Sequence, residues 1–261
     1  LGCDGGINFS IKACKKLGMK TVGALLLFMC CNIFCQAQLT LDVESGAATF
    51  GYNDVRIPGA GGSFFSISDE LDHPIQPYFR GRMQLDLGKR HSLLALYAPL
   101  TINSHGAFDR DIAFEGQTFD ANTNTDVSWK FNSYRLSYQF NIVAKEKLTF
   151  ALGLTGKIRD ARIALSNAAV SAEKTNVGFV PLIRFYMDWN FVSNFHLILD
   201  CDALAAPQGR AEDVLLAVAY APVEKLRFRL GYRLLEGGAN NDEVYNFSAV
   251  HYLALGASYR F

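Results

Sequence analysis

Between Ser133 and Ile142 the chain alternates strictly. Tyr134, Leu136, Tyr138, Phe140 and Ile142 fall on one side, and Ser133, Arg135, Ser137, Gln139 and Asn141 on the other. The same rhythm places Leu226, Phe228, Leu230 and Tyr232 opposite Arg227, Arg229, Gly231 and Arg233. A third run sets Val177, Phe179, Pro181, Ile183, Phe185, Met187, Trp189 and Phe191 against Asn176, Gly178, Arg184, Asp188 and Asn190. Period two is the signature of a strand with chemically different faces. These runs exceed the five or six residues usual in soluble sheets. Pro181 has no N–H for a ladder, so a bulge is expected there.

The breaks alternate short and long. Tight turns fall at Gly88-Lys89-Arg90-His91, Ala144-Lys145-Glu146-Lys147, Val192-Ser193-Asn194 and Pro222-Val223-Glu224-Lys225. Long polar segments cover roughly 54–75, 102–126, 160–175, 204–211 and 236–247, with a small hairpin expected around 112–119. Ten strands follow, at 39–53, 76–88, 91–103, 126–143, 146–160, 175–191, 194–204, 210–221, 224–236 and 247–261. Eight or twelve strands are the alternative counts. An even number of strands with short turns at one end and long loops at the other is the pattern of transmembrane barrels. The expected fold is an all-β, ten-stranded antiparallel transmembrane β-barrel.

Hydrocarbon offers no partner to backbone groups, so a spanning sheet must close on itself. Its apolar face then meets lipid and its polar face lines the lumen. The expected lumen set is Arg80, Arg82, Asp86, Arg135, Lys157, Arg159, Arg184, Asp188, Asp200, Asp202, Arg227, Arg229 and Arg233, with Asp42, Glu44 and Arg260. Ten strands enclose a narrow space. The expectation is therefore a mutually paired plug of side chains, with a selective solute path as the alternative. An exported soluble sandwich is the competing fold. The direction of Arg227, Arg229 and Arg233 separates the two, because outward arginines exclude a membrane barrel.

The N-terminal stretch differs. Lys12, Lys15, Lys16 and Lys20 precede the apolar run from Val22 to Phe34, then Cys35-Gln36-Ala37. A basic segment, a short apolar core and a small residue at the cut mark a secretory signal peptide. Met19 is the expected start. The domains are then an upstream extension at 1–18, a signal peptide at 19–37 cleaved near Ala37, and a barrel at 38–261. Five of the six cysteines lie before the cut, so Cys201 has no internal partner. Removing residues 1–37 takes away four lysines and Asp4 and moves the net charge from zero to near −3. Nothing suggests the concentrated basic face of a nucleic-acid binder.

In the last strand Leu253, Leu255, Ala257, Tyr259 and Phe261 share one face. This terminus, the signal peptide and the strand rhythm together resemble bacterial outer-membrane β-barrel proteins. The resemblance implies an address in the outer membrane of a Gram-negative bacterium. It implies contact with outer-membrane lipid and lipopolysaccharide. It also implies that the barrel-assembly machinery reads Tyr259 and Phe261. The functional expectation is a small outer-membrane protein, structural or permitting limited solute passage through a charged, largely filled lumen.

Two other classes stay open: a hydrolase or acyltransferase acting on lipid or peptide at the rim, and a loop-borne adhesin or receptor. For the enzyme, the candidates are His105 with Asp109 or Asp111, and His251 with Ser248, since acyl transfer needs a nucleophile and an oriented base. Glu236, Asp242 and Glu243 with Asn240 and Asn241 are weighed as a calcium loop, but they lack its spacing. No metal and no cofactor is expected. Lys157-Ile158-Arg159-Asp160-Ala161-Arg162 is a dense charge run at a strand end. It suits lipopolysaccharide phosphates.

Overall fold

The computed structural model describes residues 37–261, Gln208 excepted. The upstream extension and nearly all of the expected signal peptide lie outside the described residues. The barrel strands are β1 (Ala37–Arg56), β3 (Gln76–Leu87), β4 (His91–Ala98), β5 (Thr101–Ala107), β8 (Asn124–Lys145), β9 (Leu148–Ser166), β10 (Ser171–Val192), β11 (Phe195–Ala206), β12 (Gly209–Val223), β13 (Leu226–Asn240) and β14 (Tyr245–Arg260). β4 and β5 both pair with β8 and form one stave, broken at 99–100. Between them they complete ten antiparallel staves, and β14 pairs with β1 to close the barrel. The smaller elements are β2 (Phe65–Ser66), the four-residue helix α1 (Ile67–Glu70), and the hairpin β6 (Ile112–Phe114) with β7 (Gln117–Phe119).

The outward face is apolar. Leu136, Leu154, Phe179, Leu230, Leu253 and Leu255 are all more than half exposed. In water that belt would be an aggregation hazard; in a bilayer it is the lipid contact. Arg227, Arg229 and Arg233 face the lumen, where each meets a carboxylate.

The strands run on past the expected ends. The β9–β10 connection shrinks to 167–170 and the β13–β14 connection to 241–244. Hairpins that rise out of the bilayer still satisfy each other's backbone groups, so nothing forces them to stop at its surface. Pro181 makes no bulge: it stands opposite Gly156 in a β9–β10 register without a shift. The β10–β11 ladder instead ends at Ile183–Ala203, short of the proline. Above that point β10 is paired on one side only, which is where proline is tolerated.

The loop-end segments fold inward rather than outward. Phe65, Ile67, Phe108, Ile112, Phe114 and Phe119 are fully buried and join Phe50, Ile102, Trp129, Leu165 and Val250 of the barrel wall in one core. The lumen therefore has two tiers. Along β8 the inward residues change from Asn141, Gln139, Ser137, Arg135 and Ser133 to Phe131, Trp129 and Val127. Along β13 the change comes between Arg233 and Leu235. The sequence reading gives the lumen a charged lining; the upper tier is apolar where loop side chains pack into it.

Candidate functional site

The middle of the lumen is a septum of ion pairs. Asp213 accepts from three guanidiniums: Arg80 at 2.8 Å, Arg135 at 2.6 Å and Arg233 at 2.5 Å. Glu44 holds Arg233 and Arg229, each at 2.9 Å, and takes a hydrogen bond from the Tyr78 hydroxyl. Asp202 accepts from Arg135 and from Thr155 Oγ1. Asp200 meets Arg184 at 2.8 Å and Arg82 at 2.6 Å. Arg80, Arg135, Arg184, Arg233 and their acids are nearly water-free. Buried charges survive only when paired and hydrogen-bonded, and here the strands deliver both signs to one level. Mixed sign on neighbouring staves is what lets a narrow barrel close.

Towards the turn end, Asp188 takes Arg227 and His196, and Arg229 reaches Asp42. Asp86 stands apart from the arginines and accepts from Gln84 and Ser92. Asp42, Asp86, Asp188, Arg227 and Arg229 line a polar vestibule of about 420 Å³.

Towards the loop end the septum gives way to a second vestibule of about 450 Å³, walled by Trp129, Phe131, Val180, Leu204, Leu235 and Val244 among others. Lys157 and Arg159 project into it from β9. Lys157 is 2% exposed and lies over the Phe131 ring, 4.6 Å from its centre. Among the described residues no carboxylate comes within ion-pair distance of Lys157 or Arg159. Arg159 binds the Asn176 side chain, while its buried Nε has no partner.

The charge run at 157–162 is thus split by strand parity. Lys157 and Arg159 face inward. Arg162 pairs with Glu173, and Asp160 with Lys130 and Asn132, on the opposite face. The dense run expected at this strand end is therefore divided between the two faces of β9.

The rim candidates for catalysis are not brought together. His105 is exposed and holds Asp72 through its backbone alone. Asp109 is taken by Arg110, and Asp111 accepts the Ala121 amide. His251 points outward and stacks on Tyr232, whereas Ser248 is buried on the inner face. Three residues apart on a strand, they are on opposite sides by construction. Around the weighed calcium loop, Glu236 is held by Arg210 and Tyr52, and Asn241 caps its own turn through the amides of Glu243 and Val244. No group of three or more potential metal ligands occurs among the described residues.

Sequence reasoning named the septum arginines with Glu44, Asp200 and Asp202, but missed one of its acids, Asp213, and the role of the aromatics. Asp213 sits beside the small polar stretch at the start of β12. Reading the inward parity of β12 would have found Asp213. Phe131 and Trp129 continue the inward parity of Arg135 and carried the signal for an apolar upper tier.

No family model matches this sequence, and no curated protein matches it. Solved structures do. The outer membrane protease OmpT from Escherichia coli is similar with a TM-score of 0.55 at 10% identity, over 86% of this chain and 97% of that one. Ail, the attachment invasion locus protein of Yersinia pestis, is 13% identical over 87% of this chain and 99% of that one, with a TM-score of 0.39. Neisserial surface protein A is 13% identical over 87% and 97%, with a TM-score of 0.36. The chain has the fold of the bacterial outer-membrane β-barrels. The likeness to OmpT is one of architecture.

Proposed function

We propose that the protein is a non-conducting barrel of a Gram-negative outer membrane that works as a binding protein through the vestibule at its loop end. The septum carries this reading. Arg80, Arg135, Arg184 and Arg233 with Glu44, Asp200, Asp202 and Asp213 leave each vestibule blind at its inner end. Passage would require parting buried ion pairs, at about 3–5 kcal/mol for each partner left alone. The loop-end vestibule, by contrast, is open, mostly apolar and of the size that holds a small molecule. Limited solute passage keeps one supporting observation, the polar vestibule facing it from the turn end.

Planar-bilayer recording decides between them. The wild-type protein should be silent, and Arg80→Ala with Arg233→Ala should give discrete steps. A steady wild-type conductance would remove the binding-protein reading in favour of a pore.

A further inference from the structure

The loop-end vestibule has an opening in its side as well as at its top. The β10–β11 ladder stops at Ile183–Ala203, yet β10 continues twelve residues further to Ser171, paired with β9 alone. β11 ends at Ala206 and turns into β12. The rim therefore steps down between these two strands. Pro181 stands at the foot of the step and has no N–H with which to extend the ladder. The vestibule is lined from both sides of this notch, by Phe179, Val180 and Pro181 on β10 and by Leu204 and Ala206 on β11. On the outer surface beside it, Val177 is 70% exposed and Phe179 66%. These residues continue the lipid-facing row of Ile183, Phe185, Met187 and Trp189, so the notch opens where the apolar belt meets the outward-facing headgroups.

Two chemistries converge there. The walls are apolar and communicate with the bilayer. Inside, Lys157 is buried with no carboxylate at ion-pair distance among the described residues, and Arg159 has a buried Nε without a partner. Asp213, the septum acid on that side, is already held by three guanidiniums. An ammonium in such a place is costly to leave uncompensated. The two acids on the vestibule's margin do not answer it: Glu236 is engaged by Arg210 and Glu243 is exposed. What fits is an anion that brings its own apolar body.

We propose that the vestibule binds an amphipathic anion with an acyl chain, its head on Lys157 and Arg159 and its chain passing through the β10–β11 notch towards the outer leaflet. This rests on the reading of the loop-end vestibule as the working site. A free fatty carboxylate and a lipid A phosphate with its acyl chain share the chemistry.

The test uses the folded full barrel in nanodiscs, with tritiated dodecanoate as probe and dodecanol as its neutral counterpart. Dodecanoate should bind saturably. Lys157→Met and dodecanol should each weaken binding by about tenfold or more, the worth of one charge-assisted hydrogen bond. Leu204→Trp, which fills the notch and leaves both cations, should weaken both probes. Folding of each variant is read from its heat-modifiable gel mobility. Including lipid A in the discs assigns the source: competition with dodecanoate makes lipid A the occupant, and its absence leaves the free carboxylate.

Equal binding of dodecanoate and dodecanol, unchanged by Lys157→Met, would show simple partition and overturn the proposal. So would undiminished binding in Leu204→Trp, for the notch. A failure to bind in a barrel that stays silent in bilayers refutes the ligand class alone. A wild-type barrel that conducts refutes the reading beneath it.

Discussion

Asp213 shows how much one side chain can carry in a closed barrel. Its two oxygens serve Arg80, Arg135 and Arg233, arriving from β3, β8 and β13. Removing its charge leaves three guanidiniums facing one another in a nearly dry space. Asp213→Asn should therefore lose about 3–5 kcal/mol, the usual penalty for orphaning buried charge. Urea unfolding from lipid vesicles, followed by tryptophan fluorescence, measures it; an unchanged midpoint would mean that water already screens the septum. At this scale the sequence was partly legible. Parity alone separates His251 from Ser248 and divides Lys157 and Arg159 from Asp160 and Arg162. What parity does not tell is which inward charges meet, because the partners of Arg135 lie 67 and 78 residues away. The clasp Arg110 makes with Glu70, at 2.6 Å between two separate loops, was invisible for the same reason. Its hydrogen bonds to Glu70 and Asp109 hold this guanidinium further above the ordinary arginine value, so the clasp keeps its charge.

The elements were the most legible level. Alternation and the short turns place every stave, and the expected hairpin at 112–119 appears as β6 and β7. Two features escaped because they depend on the neighbouring strand. One is the early end of the β10–β11 ladder, where a proline was read as a bulge. The other is the register of the closure between β1 and β14, sixteen pairs running from Thr40–Arg260 to Arg56–Tyr245. Gly46 sits inside that closure with φ at +144°, and a Cβ there would lie 2.0 Å from the Leu253 carbonyl oxygen. Only glycine lets the two backbones approach so closely. Gly46→Ala should destabilise the closing seam by about 2 kcal/mol or more, from backbone strain and the displaced carbonyl. The compact, heat-modifiable gel species should then unfold at a lower temperature, while the mid-sheet β8–β9 pairing keeps its hydrogen-exchange protection. Equal loss of protection across all staves would show that the seam has no separate role.

At the scale of the whole molecule the barrel is two units in one wall: a lower tier held by charge and an upper tier held by apolar packing against inserted loops. The alternating pattern hid this division. An inward Trp129 or Phe50 is as apolar as an outward leucine, and only the loops' return into the mouth makes the upper lumen dry. The division has a mechanical consequence. Among the described residues the inserted loops share no backbone ladder with the staves beyond β2 on β1 and the Asp72–His105 bridge, so they are held mainly by side-chain burial. Phe114 is fully buried in that packing, against Phe65 at 6.2 Å between ring centres. Phe114→Ala should cost the loop unit about 3–5 kcal/mol, the range for emptying a large aromatic site. Because the septum and the ladders are untouched, that loss should appear locally. Protease should cut more readily within 108–123, and the barrel's own unfolding midpoint should stay within error. The vestibule would then widen at its top while its floor and side notch persist, so dodecanoate binding should weaken less than it does with Lys157→Met. If instead the barrel's midpoint falls with the loop, the two tiers fold as one unit and the inserted loops are part of what closes the wall.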